Sequence, residues 1–190
     1  VIYGDIPPAE AIINFKNPFL KLIPSNEDLS GLSQELSGEE DNLYRLKSIL
    51  DKVKADYDYI IIDSPPSLNI LTLNGLVAST DVIVPVQAEF YALEGIAQLM
   101  NTFNLIRRHR GLEINIMGFL VTMFDMRTSI SKEVHSELIK HFGNKVFDTI
   151  IHRNVRIAEA PSYGESVITF APSSKGAFGY KELVKEIMER

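Results

Sequence analysis

The chain has no cysteine. That excludes disulfides, cysteine-ligated zinc, iron–sulfur clusters and thiol catalysis together. Long hydrophobic runs are missing too. Stretches such as Phe119-Leu120-Val121 fall far short of the roughly 20 apolar residues a membrane span requires. No basic segment followed by an apolar one opens the chain, so no secretory leader is read. Positive charge is in short supply: 19 Lys and Arg stand against 25 Asp and Glu, a formal net charge of −6. Such a surface repels nucleic acid as a whole, and any contact with it needs a local basic patch. These absences are those expected of a cytoplasmic protein. The first residue is Val1 rather than methionine, which is expected of a chain that starts inside a longer reading frame.

The 190 residues, 45% of them hydrophobic, suit one globular domain. The apolar pattern alternates between two kinds. Tyr57–Asp63, Asp81–Val86 and Ile114–Thr122 are short β-branched runs of the sort buried on both faces of a parallel sheet. Pro85 sits near the end of the second, where a central strand seldom carries proline. Weaker strands are predicted at Leu20–Ile23, Val146–Ile151 and Val167–Phe170. Helical stripes lie between them. One spans Asn42–Lys54, with Leu43, Leu46, Ile49, Leu50 and Val53 on one face. Others span Phe90–Arg108, Ile130–Phe142 and Gly176–Met188, the last with Tyr180, Leu183, Val184, Ile187 and Met188 inward. Strands alternating with helices predict an α/β fold of three layers, a mostly parallel sheet with helices on both faces. The polar stretch Ser33–Asn42 reads as a loop, so residues 1–190 are expected to form a single domain.

Ligands bind open parallel sheets beyond the carboxyl ends of the strands. The residues there are Asp63-Ser64-Pro65-Pro66, Gln87-Ala88-Glu89, Thr122-Met123-Phe124-Asp125, His152-Arg153-Asn154 and Ala171-Pro172-Ser173-Ser174. Asp63 is a carboxylate delivered to the sheet edge by an apolar run. It suits Mg²⁺, which prefers hard oxygen ligands, and equally suits the start of a turn. Arg107-Arg108-His109-Arg110 closes a helix, as a favourable cap on the helix dipole or as a contact for DNA. His135 and His141 lack the spacing of a zinc site with a third donor. The pair Phe90-Tyr91 reads as core or interface packing.

Five blocks occur in order: YDYIIIDSPPSLNILTLNGL, VIVPVQAEFYALEG, GFLVTMFDMRT, IIHRNVRIAEAPSYG and APSSKGA. Together, from about Leu20 onward, the chain resembles the ParA/Soj family of chromosome- and plasmid-partition ATPases. The resemblance implies a P-loop NTPase-like fold, ATP and Mg²⁺ as cofactors, a homodimer with nucleotide between its subunits, and non-specific DNA binding near the nucleoid. It also implies a ParB-type partner that stimulates hydrolysis. It makes Asp63 the Walker B aspartate acting beside Mg²⁺. Thr122, Met123 and Pro172 would border the adenine, and Glu89–Gly95 would lie near the dimer face. Arg153, Arg156 and Lys175 become candidates for DNA phosphate contacts. His152 stands where the family usually has proline.

The family's phosphate cradle, a glycine-rich loop ending Gly-Lys-Ser/Thr, has no counterpart here, because no Gly-Lys dipeptide occurs. The family's Asp-rich switch I motif is also absent. The resemblance therefore implies the carboxyl-terminal portion of such a domain, missing its N-terminal βαβ part. This chain alone is expected to bind no ATP or Mg²⁺ and to hydrolyse none. Two other classes stay open: a non-catalytic dimerisation, DNA- or partner-binding module, and a MinD-like positioning ATPase. The last helix carries Glu as well as Lys on its polar face, which argues against a membrane-binding helix.

Overall fold

The computed structural model describes residues 6–15, 17–29, 31, 40–65, 67, 69–110 and 114–190. The chain divides into two compact units, Val1–Thr80 and Asp81–Arg190.

The first unit opens with helix α1 (Pro8–Ala11), started by prolines that need no N–H partner in a first turn. Strands β1 (Ile13–Asn14) and β2 (Lys21–Leu22) then pair antiparallel, Ile13 opposite Leu22. Leu20–Ile23 thus contributes a strand, but to a hairpin rather than to a parallel sheet. The predicted helix over Asn42–Lys54 is broken into a 3₁₀ turn (Glu40–Tyr44), helix α2 (Arg45–Leu50) and a second 3₁₀ turn (Lys54–Asp56). Its stripe still faces inward at Leu43, Ile49 and Val53. Helix α3 (Ile70–Ala78) is capped by Asn69, whose Oδ1 accepts the N–H groups of Leu71 and Thr72 at 3.0 and 3.2 Å. Buried Asn74 ties α3 to α2. Its Oδ1 accepts the Leu46 N–H at 3.1 Å, and its Nδ2 donates to the carbonyls of Asn42 and Ile70 at 2.8 and 2.9 Å. Every polar atom of that amide has a partner, as burial demands.

Tyr57–Asp63, the segment with the clearest strand pattern, forms no strand. It makes no ladder among the described residues of its unit, and the backbone bends at Asp58. β-branched composition favours the extended backbone, yet a strand exists only against a partner's N–H and C=O groups. Tyr59, Ile60 and Ile61 are exposed in consequence.

In the second unit β3 (Val82–Gln87) and β4 (Ile116–Thr122) pair in parallel, joined through helix α4 (Ala92–Arg110). Pro85 fits because N–H groups alternate between edges. Ala88 N–H points to β4, where it reaches the Thr122 carbonyl at 3.0 Å, so position 85 faces away and its missing N–H costs the ladder nothing. A third run follows β4 in parallel. Phe147 N–H donates to Phe119 at 3.0 Å and Ile151 N–H to Val121 at 2.9 Å. Only isolated bridges form, at Phe119–Val146 and Phe124–His152. The predicted strand Val146–Ile151 is therefore present in direction but not as a regular strand.

Strand alternation sorts the core onto two faces. Val84, Val86, Phe119 and Val121 pack with Ile96 of α4 and with Val134 and Leu138 of helix α5 (Ser129–Phe142). Ile83 and Leu120 face the other way, packing with Phe147, Ile151 and Leu183. Leu183 belongs to helix α8 (Lys175–Glu189). Helices thus cover both faces of the parallel pair, the three-layer arrangement read from the sequence. Each fully buried large side chain contributes about 1.5–3 kcal/mol.

Two short helices, α6 (Val155–Glu159) and α7 (Val167–Phe170), precede α8. The strand predicted at Val167–Phe170 is thus corrected to a helical turn. Ser166 caps it, its Oγ accepting the Thr169 N–H at 3.2 Å, and a capping side chain favours helix over ladder. Val167 packs with Ala160 and Ala177. On α8 the inward face is Ala177, Leu183 and, half-buried, Tyr180 and Ile187. Val184 and Met188, expected inward, are exposed. Neighbouring positions 183 and 187 take the core-facing side of a 3.6-residue turn, leaving 184 and 188 a step around it.

Candidate functional site

The carboxyl ends of β3, β4 and the run after them place three loops side by side in the second unit. The β4 exit is the most constrained. Thr122 is half-buried, its carbonyl taken by Ala88. Met123 follows in the left-handed region at φ 52°, which costs a non-glycine residue energy and marks a backbone turned for a purpose or held by its surroundings. The holding contacts are visible. Phe124 N–H donates to Ile151 at 3.2 Å, and its carbonyl accepts from Arg153 at 3.0 Å.

Ser131, in the first turn of α5, locks two of the loops together. Its hydroxyl is buried, 2% exposed, and donates to the Ala88 carbonyl at 3.2 Å while accepting the Asp125 N–H at 3.3 Å. The Thr128 hydroxyl lies 2.9 Å away. One donor and two lone pairs are all used. Nothing in the sequence singled out Ser131. Its only signal is a position just after a helix start, and its partners are 43 residues upstream and 6 residues upstream.

Asp125 closes the loop by gripping Arg127. Nε donates to Oδ1 at 2.9 Å and Nη2 to Oδ2 at 2.7 Å, with the Arg127 N–H at 3.0 Å. The guanidinium beside it holds the Asp125 carboxyl well below the usual carboxylate range, aided by that backbone N–H. Arg127 is correspondingly held above its ordinary value by Asp125.

Arg153 and Arg156 are exposed but not free. Arg153 approaches Glu89 at 3.7 Å, and Arg156 pairs with Glu159 at 2.8 Å. Lys175 opens α8 behind the Ser174 cap, exposed and without an ion pair among the described residues. The starts of α6 and α8 meet closely. A Cβ on Gly176 would lie 2.7 Å from Ile157 and 3.4 Å from Asn154, so only glycine lets these two ends approach. The structure thereby gathers the segments that carry Arg153, Arg156 and Lys175. Pro172 is exposed between α7 and α8. His152, half-buried, sets its ring edge-on to Phe124 at 5.5 Å, and His135 approaches the same ring at 6.1 Å. Phe90 and Tyr91 are 74% and 75% exposed, in an edge-to-face pair at 5.1 Å. Core packing is thus excluded for both.

Asp63 belongs to the first unit, where it is exposed at the end of the unladdered segment. Ile62 and Ser64 on either side lie over Gly75 of α3, 3.4 and 3.1 Å from where a Cβ would stand. Among the described residues no three His, Cys, Asp or Glu side chains converge on a point that could hold a metal ion. A lone carboxylate fits Mg²⁺ only when phosphates and waters complete the shell. Asp63 by itself therefore makes no metal site among the described residues. No described helix is long and apolar enough to cross a membrane.

A family model described as an AAA domain matches residues 1–116. The chain is 48% identical over 168 residues to the sporulation initiation inhibitor protein Soj of Bacillus subtilis, covering 88% of this chain and 66% of that protein. It is 41% identical over 192 residues to the chromosome partitioning protein ParA of Caulobacter vibrioides, covering 100% and 72%. The solved structure of a putative plasmid partition protein from Borrelia burgdorferi, bound to AMPPNP, matches with a TM-score of 0.80 at 25% identity, covering 100% and 72%. The chain thus spans just under two thirds of the first relative's length.

Proposed function

Since the chain belongs to the ParA/Soj family of partition ATPases, we propose that it serves ATP-dependent segregation or positioning of DNA, working with a ParB-type partner as a homodimer near the nucleoid. The observation that carries this reading is the identity of 40% or more to partition proteins over most of the chain. Residues 1–190 act as one α/β domain in this reading, the carboxyl-terminal portion of a ParA-like ATPase domain. Thr122, Met123 and Pro172 border the adenine. The hydrogen-bonded loops around Ser131 and Phe124 suit that task, since a pocket wall binds best when pre-organised.

Asp63 acts beside Mg²⁺ when phosphates are present. In phosphoryl transfer the protein's work is positioning and charge neutralisation. With no Gly-Lys-Ser/Thr cradle in its sequence, this chain alone turns over no ATP. Arg153, Arg156 and Lys175 contact DNA phosphates, and Lys175 dominates because the two arginines already hold carboxylates.

Duplex binding across a salt series tests this reading. Lys175→Ala should weaken binding equally for all sequences and lower the salt slope by about one unit. An unchanged slope rejects the assignment. Titration calorimetry with MgATP should show no saturable binding, and saturable binding that needs Mg²⁺ would reject the inert-alone reading. A non-catalytic binding module is the second reading. The lone Asp63 favours it, and DNA or partner binding without any need for nucleotide would establish it.

A further inference from the structure

Asn74-Gly75 is the one place in the sequence where glycine follows asparagine. Such a pair is chemically labile, because no side chain shields the amide carbon from the next backbone nitrogen. The fold keeps this pair inside. Asn74 is 1% exposed and lies in the middle of α3. Its Nδ2 donates to the carbonyls of Asn42 and Ile70 at 2.8 and 2.9 Å, and its Oδ1 accepts the Leu46 N–H at 3.1 Å. Gly75 is also buried, and its N–H belongs to the helix ladder. All of these contacts fall within the first unit.

We infer that Asn74 is a deamidation site that the fold of the first unit keeps closed. The reaction needs only water. The Gly75 nitrogen attacks Asn74 Cγ, the new N–Cγ bond closes a succinimide ring, and the Cγ–Nδ2 bond breaks. Nδ2 leaves as ammonia and carries off the Gly75 proton. Water then opens the ring at either carbonyl, leaving aspartate or its β-linked isomer, and nothing is oxidised or reduced. The folded chain blocks the attack. The ring needs a backbone turn at Asn74 that helical φ and ψ do not give, and Nδ2 must first leave both of its carbonyls. Once α3 opens, glycine is the residue that most readily lets the chain take that turn. The product cannot close the junction between α2 and α3 again. A carboxylate only accepts hydrogen bonds, so at position 74 it would meet the carbonyls of Asn42 and Ile70 with no proton between them. Burying that charge unpaired is costly, and the β-linked isomer lengthens the backbone inside a helix. Opening of the first unit is thereby recorded as a covalent, one-way change.

Intact mass and peptide mapping of the full chain test this. Held unfolded in urea at mildly alkaline pH, the chain should exchange –NH2 for –OH in the peptide that contains Asn74. Held folded at the same pH and temperature, it should react at least about tenfold more slowly, since the reaction waits on local opening. Gly75→Ala should stay unmodified over the same time even in urea, and should still fold. Its Cβ would stand 3.1 Å from the Ser64 hydroxyl, which can rotate aside, and 3.4 Å from Ile62, and alanine suits a helix better than glycine. Asn74→Asp, the modified chain made directly, should lose amide-exchange protection at Leu46, because α2 and α3 no longer close on each other. A folded chain that reacts as fast as the unfolded one overturns the inference. So does modification confined to another asparagine, a Gly75→Ala chain that reacts as readily, or an Asn74→Asp chain that protects Leu46 like the parent.

Discussion

Replacing Ser131 with alanine removes one oxygen from the best-connected point of the candidate site. The hydroxyl is 2% exposed, and water does not replace it without rearrangement. Its loss leaves the Ala88 carbonyl without its 3.2 Å partner and the Asp125 N–H without its 3.3 Å partner. The Thr128 hydroxyl keeps an alternative, the Asp125 carbonyl at 3.1 Å, so that contact adds little. A buried group left unsatisfied costs about 1–3 kcal/mol. Both lost bonds are long and Asp125 is only half-buried, which puts the sum at roughly 2–4 kcal/mol by the same measure. For a chain of this size each kcal/mol shifts Tm by about 2–4 °C. Ser131→Ala should thus melt about 5–15 °C lower, followed by circular dichroism. The loosening should also be local. Amide exchange at Phe124–Thr128 and at Ala88–Glu89 should quicken well before that of β4. A Tm within about 2 °C of the parent, with exchange at Asp125 unchanged, would refute the claim that this hydroxyl joins the two loops.

Two further outcomes follow from the other end of the second unit. Glu186 accepts the N–H groups of Asp148 and Thr149 at 2.9 and 2.8 Å and pairs with Arg190 at 2.8 Å. Arg190 in turn reaches the carbonyls of Met117, Asn144 and Val146 and lies 4.1 Å over the Phe147 ring. Burial raises the Glu186 pKa, but the hydrogen bonds from Thr149, Arg190 and Asp148 outweigh it and hold the carboxyl below its ordinary value. A lowered folded value means the stabilisation is complete above the unfolded pKa and is lost as pH falls through the folded one. Glu186→Gln should therefore melt lower than the parent at pH 7, and the gap should narrow as pH drops below about 4; a gap independent of pH would count against the charge. Gly118→Ala places a Cβ 2.7 Å from both the Lys145 carbonyl and the Phe147 ring, where overpacking costs about 1–3 kcal/mol. Denaturant unfolding should show that loss with an unchanged slope, and a neutral midpoint would mean that the Lys145 turn yields.

The sequence by itself determined the elements whose pattern is carried by side chains alone. β3, β4, α4, α5 and α8 stand where periodicity put them, because burial of alternating or 3.6-spaced residues is a local property of the string. It also located the loops after β3 and β4, where the residue that ends the apolar run does stand at the sheet edge. The family membership was legible for the same reason, in the order of blocks rather than in any one residue. Tertiary structure decided the rest. Tyr57–Asp63 has a strand's composition but no ladder, because pairing is a property of two segments and not of one. Val167–Phe170 reads as a strand and folds as a turn of helix, because the Ser166 cap and the seat between Ala160 and Ala177 outweigh β-branched preference. Arg153 and Arg156 look like free cations in the text and turn out to hold Glu89 and Glu159. Ser131 had no signal at all. Its role depends on a carbonyl and an N–H that approach it only once two strands have ended side by side, and hydrogen bonds between distant segments leave no periodic trace in a sequence.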